Sequence, residues 1–98
     1  MITEEEFCLR VGIEHRTLRV WVEEGWLAPR RDDTDLVLSE MDAARARLIR
    51  DLRESLGVND EGIGVILNLV DQVHGLRSVV QALLERSRSA DRLNGASG

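Results

Sequence analysis

The run Arg16-Thr17-Leu18-Arg19-Val20-Trp21-Val22-Glu23-Glu24-Gly25-Trp26-Leu27-Ala28-Pro29-Arg30-Arg31 decides the fold. Leu18, Trp21 and Val22 recur at helical spacing, which predicts a helix from about residue 15 to 24. Gly25 supplies the stop. Pro29 holds the residue before it out of the helical region, so the chain leaves this helix extended. Upstream, Thr3 followed by Glu6 reads as a capping box, with Ile2 and Phe7 at the flanking staple positions. A first helix from about residue 4 to 10 then buries Phe7, Cys8 and Val11, and Gly12 ends it. Two short helices joined by Val11-Gly12-Ile13 read as a helix-turn-helix. Downstream, Asp32-Asp33-Thr34-Asp35 is turn chemistry. Arg30–Arg31 can pair with Leu36–Leu38 as a small hairpin, the wing of a winged helix-turn-helix.

Two more helices complete the chain. Ser39 caps the third, with Asp42 three residues on. Its expected apolar stripe is Met41, Ala44, Leu48, Leu52 and Leu56, with Arg45, Arg47, Arg50 and Arg53 on the other side. Arg47/Asp51 and Arg50/Glu54 stand at pair spacing. Gly57 closes it. Asn59 caps the last helix, with Asp60 and Glu61 in its first turn and Val58 and Ile63 as a staple. From Ile66 the apolar spacing alternates three and four: Ile66, Leu69, Val73, Leu76, Val80, Leu83. This is a coiled-coil seam, β-branched at one core position and Leu at the other. A second row, Ile63, Val70, Arg77 and Leu84, widens the face. So wide a face asks for a partner, and the six seam residues are the expected homodimer contact. Folding back onto the head is the other use of such a helix, and the seam leaves the orientation of a dimer open. The expected organisation is a head over residues 1–58 and a long dimerisation helix over residues 59–98, frayed from about Ser87.

Composition narrows the function. The chain has 98 residues, a net charge of −5 and aromatics at only 3%. All 13 basic residues are Arg. Such acidity disfavours non-specific binding to nucleic acid or anionic membrane. It is also concentrated: residues 32–42 carry five acids and no base. No uninterrupted apolar run approaches the roughly 18 residues of a membrane helix, and the acidic opening MITEEEF is not that of a signal peptide. A single Cys8 excludes a disulfide framework and a Cys-pair zinc site. Cytoplasmic placement is expected, with no cofactor and no metal. Catalysis needs a base, a nucleophile and an oriented pocket. His15 and His74 have no partners at catalytic spacing, and the eight Gly residues form no phosphate-cradling loop. The chain is not expected to be an enzyme.

The opening segment resembles the second helix and wing start of MerR-type regulators. Their pattern is Thr-Leu-Arg, two aromatics, Glu, two variable residues, Gly, two apolar residues, a spacer, Pro and Arg. Asp42, Leu48, Ile49 and Leu56-Gly57 are similar to the helix that supports the wing in that family. The resemblance implies a mainly α, MerR-like winged helix-turn-helix head followed by a long C-terminal dimerisation helix. This sequence also departs from the pattern. Val20 replaces the first aromatic, the wing offers Asp32, Asp33 and Asp35 instead of Gly-Tyr-Arg, no Cys opens the dimer helix, and no effector domain is expected after it. The opening Ile2-Thr3 to Phe7-Cys8 run, the acidic wing, and the segments Leu56–Ile63 and Asp71–Arg77 resemble the short chaperone modulators of the CbpM type. That resemblance implies binding and inhibition of the J-domain of a CbpA-type co-chaperone.

Two surfaces follow. A partner-binding patch would comprise Asp32, Asp33, Asp35, Glu40 and Asp42, which complement the basic helix that the resemblance implies for a J-domain, with an exposed Trp21 or Trp26 as the apolar anchor. Under the alternative, a MerR-like DNA-binding regulator, Arg16, Thr17 and Arg19 would lie where a recognition helix meets DNA, and Arg30 and Arg31 would touch the backbone. The acidic wing opposes that alternative, because affinity for DNA comes largely from neutralised phosphates.

Overall fold

The computed structural model describes residues 1–97, with side chains described through Leu93. It contains α1 (Glu4–Val11), α2 (His15–Glu23), β1 (Arg30–Asp32), β2 (Asp35–Val37), α3 (Glu40–Glu54) and α4 (Asp60–Ser97). The fold is mainly α, a winged helix-turn-helix followed by a long helix. Two compact units are present, Met1–Gly64 and Val65–Gly98.

Local chemistry sets the element ends of the first unit. The Glu6 amide donates to Thr3 Oγ1 at 3.2 Å, one half of the expected capping box. The box is complete at α3. The Asp42 amide donates to Ser39 Oγ at 3.1 Å, and the Ser39 amide donates back to Asp42 Oδ2 at 2.9 Å. Asn59 Oδ1 accepts from the Gly62 amide at 2.8 Å and starts α4. Gly12 follows α1 at φ 78°, a left-handed conformation that glycine adopts without strain.

The wing forms near the expected place. β1 and β2 are antiparallel, with Arg30 opposite Val37, Arg31 opposite Leu36 and Asp32 opposite Asp35. Leu38 lies outside the hairpin and pairs instead with Ile2, exchanging backbone bonds of 2.8 and 3.1 Å. The segment before α1 therefore lies along the wing.

Ile2, Phe7, Val11, Leu18, Trp21, Trp26, Leu27, Leu36, Leu38 and Ile63 are buried in the core of this unit. α3 contributes Ala43, Ala46, Ile49 and Leu52. The stripe expected from the sequence is rotated from this one: Met41 is 78% exposed, Leu56 70%, Ala44 is exposed and Leu48 half-buried. Alanines at 43 and 46 offer a flatter face than Met41 and Leu48, and α3 packs on α1.

In the second unit every described residue from Asp71 to Leu93 is exposed, so no seam residue in that range is buried within the chain. Helical backbone continues to Ser97, past the Ser87 where a frayed tail was expected. By length and composition α4 is also apolar enough to cross a membrane, with a mean hydropathy of 1.2 over its best 18-residue window. That corrects the view from uninterrupted runs, which are broken every few residues. The breaks have a period. Asn68, Asp71, His74, Ser78, Gln81 and Glu85 fall on the side away from the seam. One apolar face and one polar face suit pairing with another helix.

Candidate functional site

The wing tip gathers the acidic residues. Asp32 and Asp35 face each other across the last rung of the hairpin. Like charges placed directly opposite destabilise a strand pair. Asp33 stands between them at φ 55°, a left-handed backbone that Asp tolerates better than most residues. Asp32, Asp33 and Asp35 are exposed and make no ion pair among the described residues.

The other two expected acids are occupied. Glu40 accepts two bonds from Arg10 Nη1, at 2.9 and 3.0 Å. This contact raises the Arg10 pKa above its ordinary value and keeps the guanidinium charged. Asp42 closes the α3 capping box. The patch of five thus narrows to three uncompensated carboxylates.

A groove of about 550 Å³ runs beside the wing. Ile2, Leu36 and Val37 give it an apolar floor, Asp32 and Asp35 one acidic wall, and Glu4 and Glu5 at the start of α1 the other. Sequence reasoning missed Glu4 and Glu5 here. No local sequence signal points to them, because it is the Ile2–Leu38 bridge that lays residues 1–5 against the hairpin. His15 also lines the groove, its Nδ1 3.8 Å from Glu4 Oε1.

Trp21 is not a surface anchor. It is 2% exposed, and its indole N–H has no hydrogen-bond partner among the described residues. Leu18 and Trp21, three apart on α2, both point into the core of the head, which puts the ring inside. The candidate DNA surface is split. Arg16 and Arg31 are exposed and Thr17 is half-buried. Arg19 is drawn to Glu4, with Nη2 3.3 Å from Oε1. Arg30 Nη2 reaches the Met1 sulfur at 3.5 Å.

Three Arg side chains of α3 are spent on structure. Arg45 donates to the Trp26 carbonyl, Arg50 to the Val11 carbonyl, and Arg53 pairs with Asp60. Cys8 is buried, and burial first, then the charge of Glu4, pushes its thiol pKa up. On α4, Leu69, Val73, Leu76, Val80 and Leu83 are exposed and Ile66 is half-buried.

A family model described as MerR HTH family regulatory protein matches residues 2–85. Two curated sequences from Salmonella paratyphi A, one of them from strain ATCC 9150 / SARB42, are each named chaperone modulatory protein CbpM. Each is 34% identical over 85 residues, covering 86% of this chain and 84% of the relative. The matched span runs through the helix-turn-helix, the acidic wing and the whole α4 seam, and the chain belongs to the CbpM family within the MerR-like helix-turn-helix proteins.

Proposed function

We propose that this chain is a non-catalytic chaperone-modulating adaptor that binds and inhibits the J-domain of a CbpA-type co-chaperone and acts as a homodimer through α4. The name of its relatives, chaperone modulatory protein, supports the role. One observation carries the choice of surface. Asp32 and Asp35 are held opposite each other at the wing tip with Asp33 between them, and none of the three makes an ion pair among the described residues. That arrangement is a standing electrostatic cost to the free protein, and a basic partner relieves it. Charge complementarity of this kind also speeds encounter. The groove with acidic walls beside the hairpin offers the same partner an apolar floor. The same wing would meet phosphates with three carboxylates if docked on DNA in the MerR manner, which opposes binding.

The test is a paired titration. The protein is measured against a CbpA-type J-domain and against duplex DNA from its own promoter region, across a range of salt. Tight J-domain binding that weakens with salt, without a DNA shift, is expected. Changing Asp32, Asp33 and Asp35 together to Asn should lower J-domain affinity at least tenfold and flatten the salt dependence. A specific DNA footprint without J-domain binding would overturn the proposal. Unchanged affinity in the triple variant would remove the wing as the site.

A further inference from the structure

We infer that Arg77 limits the association of α4 to two copies of this chain. The inference rests on the homodimer reading above and concerns what stops that association from growing.

The apolar face of α4 is wider than a two-stranded coil needs. Ile66, Val73 and Val80 take one core position, and Leu69, Leu76 and Leu83 the other. In two-stranded coils the residues flanking this seam are commonly charged. Here one flank reads Val70, Arg77, Leu84 and the other Val65, Gln72, Val79. Apolar flanks of this kind belong to helices that contact more than one neighbour in a bundle. Among the core and flanking positions from residue 65 to 84, Arg77 is the one charged side chain.

A second copy is the occupant the face fits. Val65, Leu69, Val73, Leu76, Val79, Val80, Leu83 and Leu84 are each between 47% and 65% exposed. Each offers on the order of 100 Å² of apolar surface. Together they reach the roughly 800 Å² that one side of a stable interface buries. Every layer of the seam holds a β-branched residue or a Leu, so two copies supply each other with matching layers.

Arg77 stands at the middle of that face. It borders two shallow grooves along the helix, one running past Ile66 and Val70, the other past Val80 and Leu84. In a two-stranded pair a flanking Arg lays its stem over the seam and keeps its guanidinium in water. Third and fourth helices packed on the same flank would enclose that guanidinium. An enclosed charge without a partner is strongly disfavoured. The neighbouring α4 acids, Asp71 and Glu85, fall at the outer heptad position, on the side away from the flank. A polar residue at one position of an apolar helix face is an established way to set oligomer number.

Sedimentation equilibrium of the full chain tests this, with Arg77→Lys and Arg77→Leu beside the wild type. The expected masses are two chains for the wild type and for Arg77→Lys, rising towards four with concentration for Arg77→Leu. Arg77→Leu held at two chains over the same range would overturn the inference and leave the dimer standing. A wild type held at one chain would overturn the dimer and the inference together. If Arg77→Leu precipitates, the smaller, neutral and apolar Arg77→Ala decides: mass above two chains supports the inference, and two chains overturns it.

Discussion

Arg50 of α3 donates from its guanidinium Nη1 to the carbonyl of Val11, the last residue of α1. Helix carbonyls at a C-terminus lack intrahelical donors, so Arg50 completes α1 from a residue 39 positions away. Gly12 makes room for it. A Cβ at Gly12 would lie 2.9 Å from Arg50 Nη1, besides the strain at φ 78°. Glu54 holds the same guanidinium from the other side, Nε to Oε2 at 3.4 Å.

Arg50→Ala should destabilise the chain by about 1–3 kcal/mol, the range for leaving a part-buried backbone group without its charged donor. Gly12→Ala should cost about 1–2 kcal/mol from the left-handed backbone alone, and more from the close approach. The double variant should cost less than the sum, because removing the guanidinium removes the contact. Urea denaturation of the four proteins measures the cycle, and strict additivity would refute the coupling.

Trp21→Ala should cost about 3–5 kcal/mol by emptying a buried site. Trp21→Phe loses no hydrogen bond, since the indole N–H makes none among the described residues, and should leave J-domain affinity within twofold. Calorimetric titration of the folded Phe variant is the check. A selective loss of binding there would restore Trp21 to the interface.

If α4 pairs two copies as proposed, Leu76→Glu should dissociate them. Leu76 is 65% exposed in the single chain, so the change leaves the head folded while placing a charge at the middle of the seam. Size-exclusion chromatography with light scattering should read one chain where the wild type reads two. An unchanged mass would show that α4 is not the dimer contact.

Cys8 should resist alkylation in the native protein. Its burial and raised thiol pKa both keep the reactive thiolate scarce. The sign for stability follows from the same shift. The folded state favours the neutral thiol, so the contribution is full below the unfolded thiol pKa and is lost as pH rises through it towards the folded value. Iodoacetamide labelling followed by mass spectrometry should be slow in buffer and fast in urea. Rapid native labelling would contradict the packing of α1.

Element boundaries were legible because their causes are local. Thr3, Ser39 and Asn59 cap with their own side chains, and Gly12 and Gly57 adopt left-handed backbone. The wing was legible for the same reason, with one difference at Leu38, whose partner Ile2 lies 36 positions earlier. Facing was harder to read. α3 carries two possible apolar rows, Met41–Ala44–Leu48 and Ala43–Ala46–Ile49, and spacing alone cannot rank them. Contact with α1 ranks them, together with Arg45 and Arg50, whose bonds to Trp26 and Val11 tie α3 to the rest of the head.

By itself, then, the sequence determined the helix-turn-helix, the hairpin, the heptad seam and the concentration of acid at residues 32–42. Each depends on residues within a few positions of one another, so side-chain chemistry and period decide it. Only the tertiary structure decided which acids are free to meet a partner and where Trp21 points. Glu40 is neutralised by Arg10 from 30 positions away, and residues 2–5 meet the wing through a backbone bridge. Those pairings bring together residues far apart in the chain, and no local propensity encodes which distant group will be near. The acidic stretch of the sequence became, in three dimensions, three carboxylates on a hairpin tip, without an ion pair among the described residues, beside an open groove.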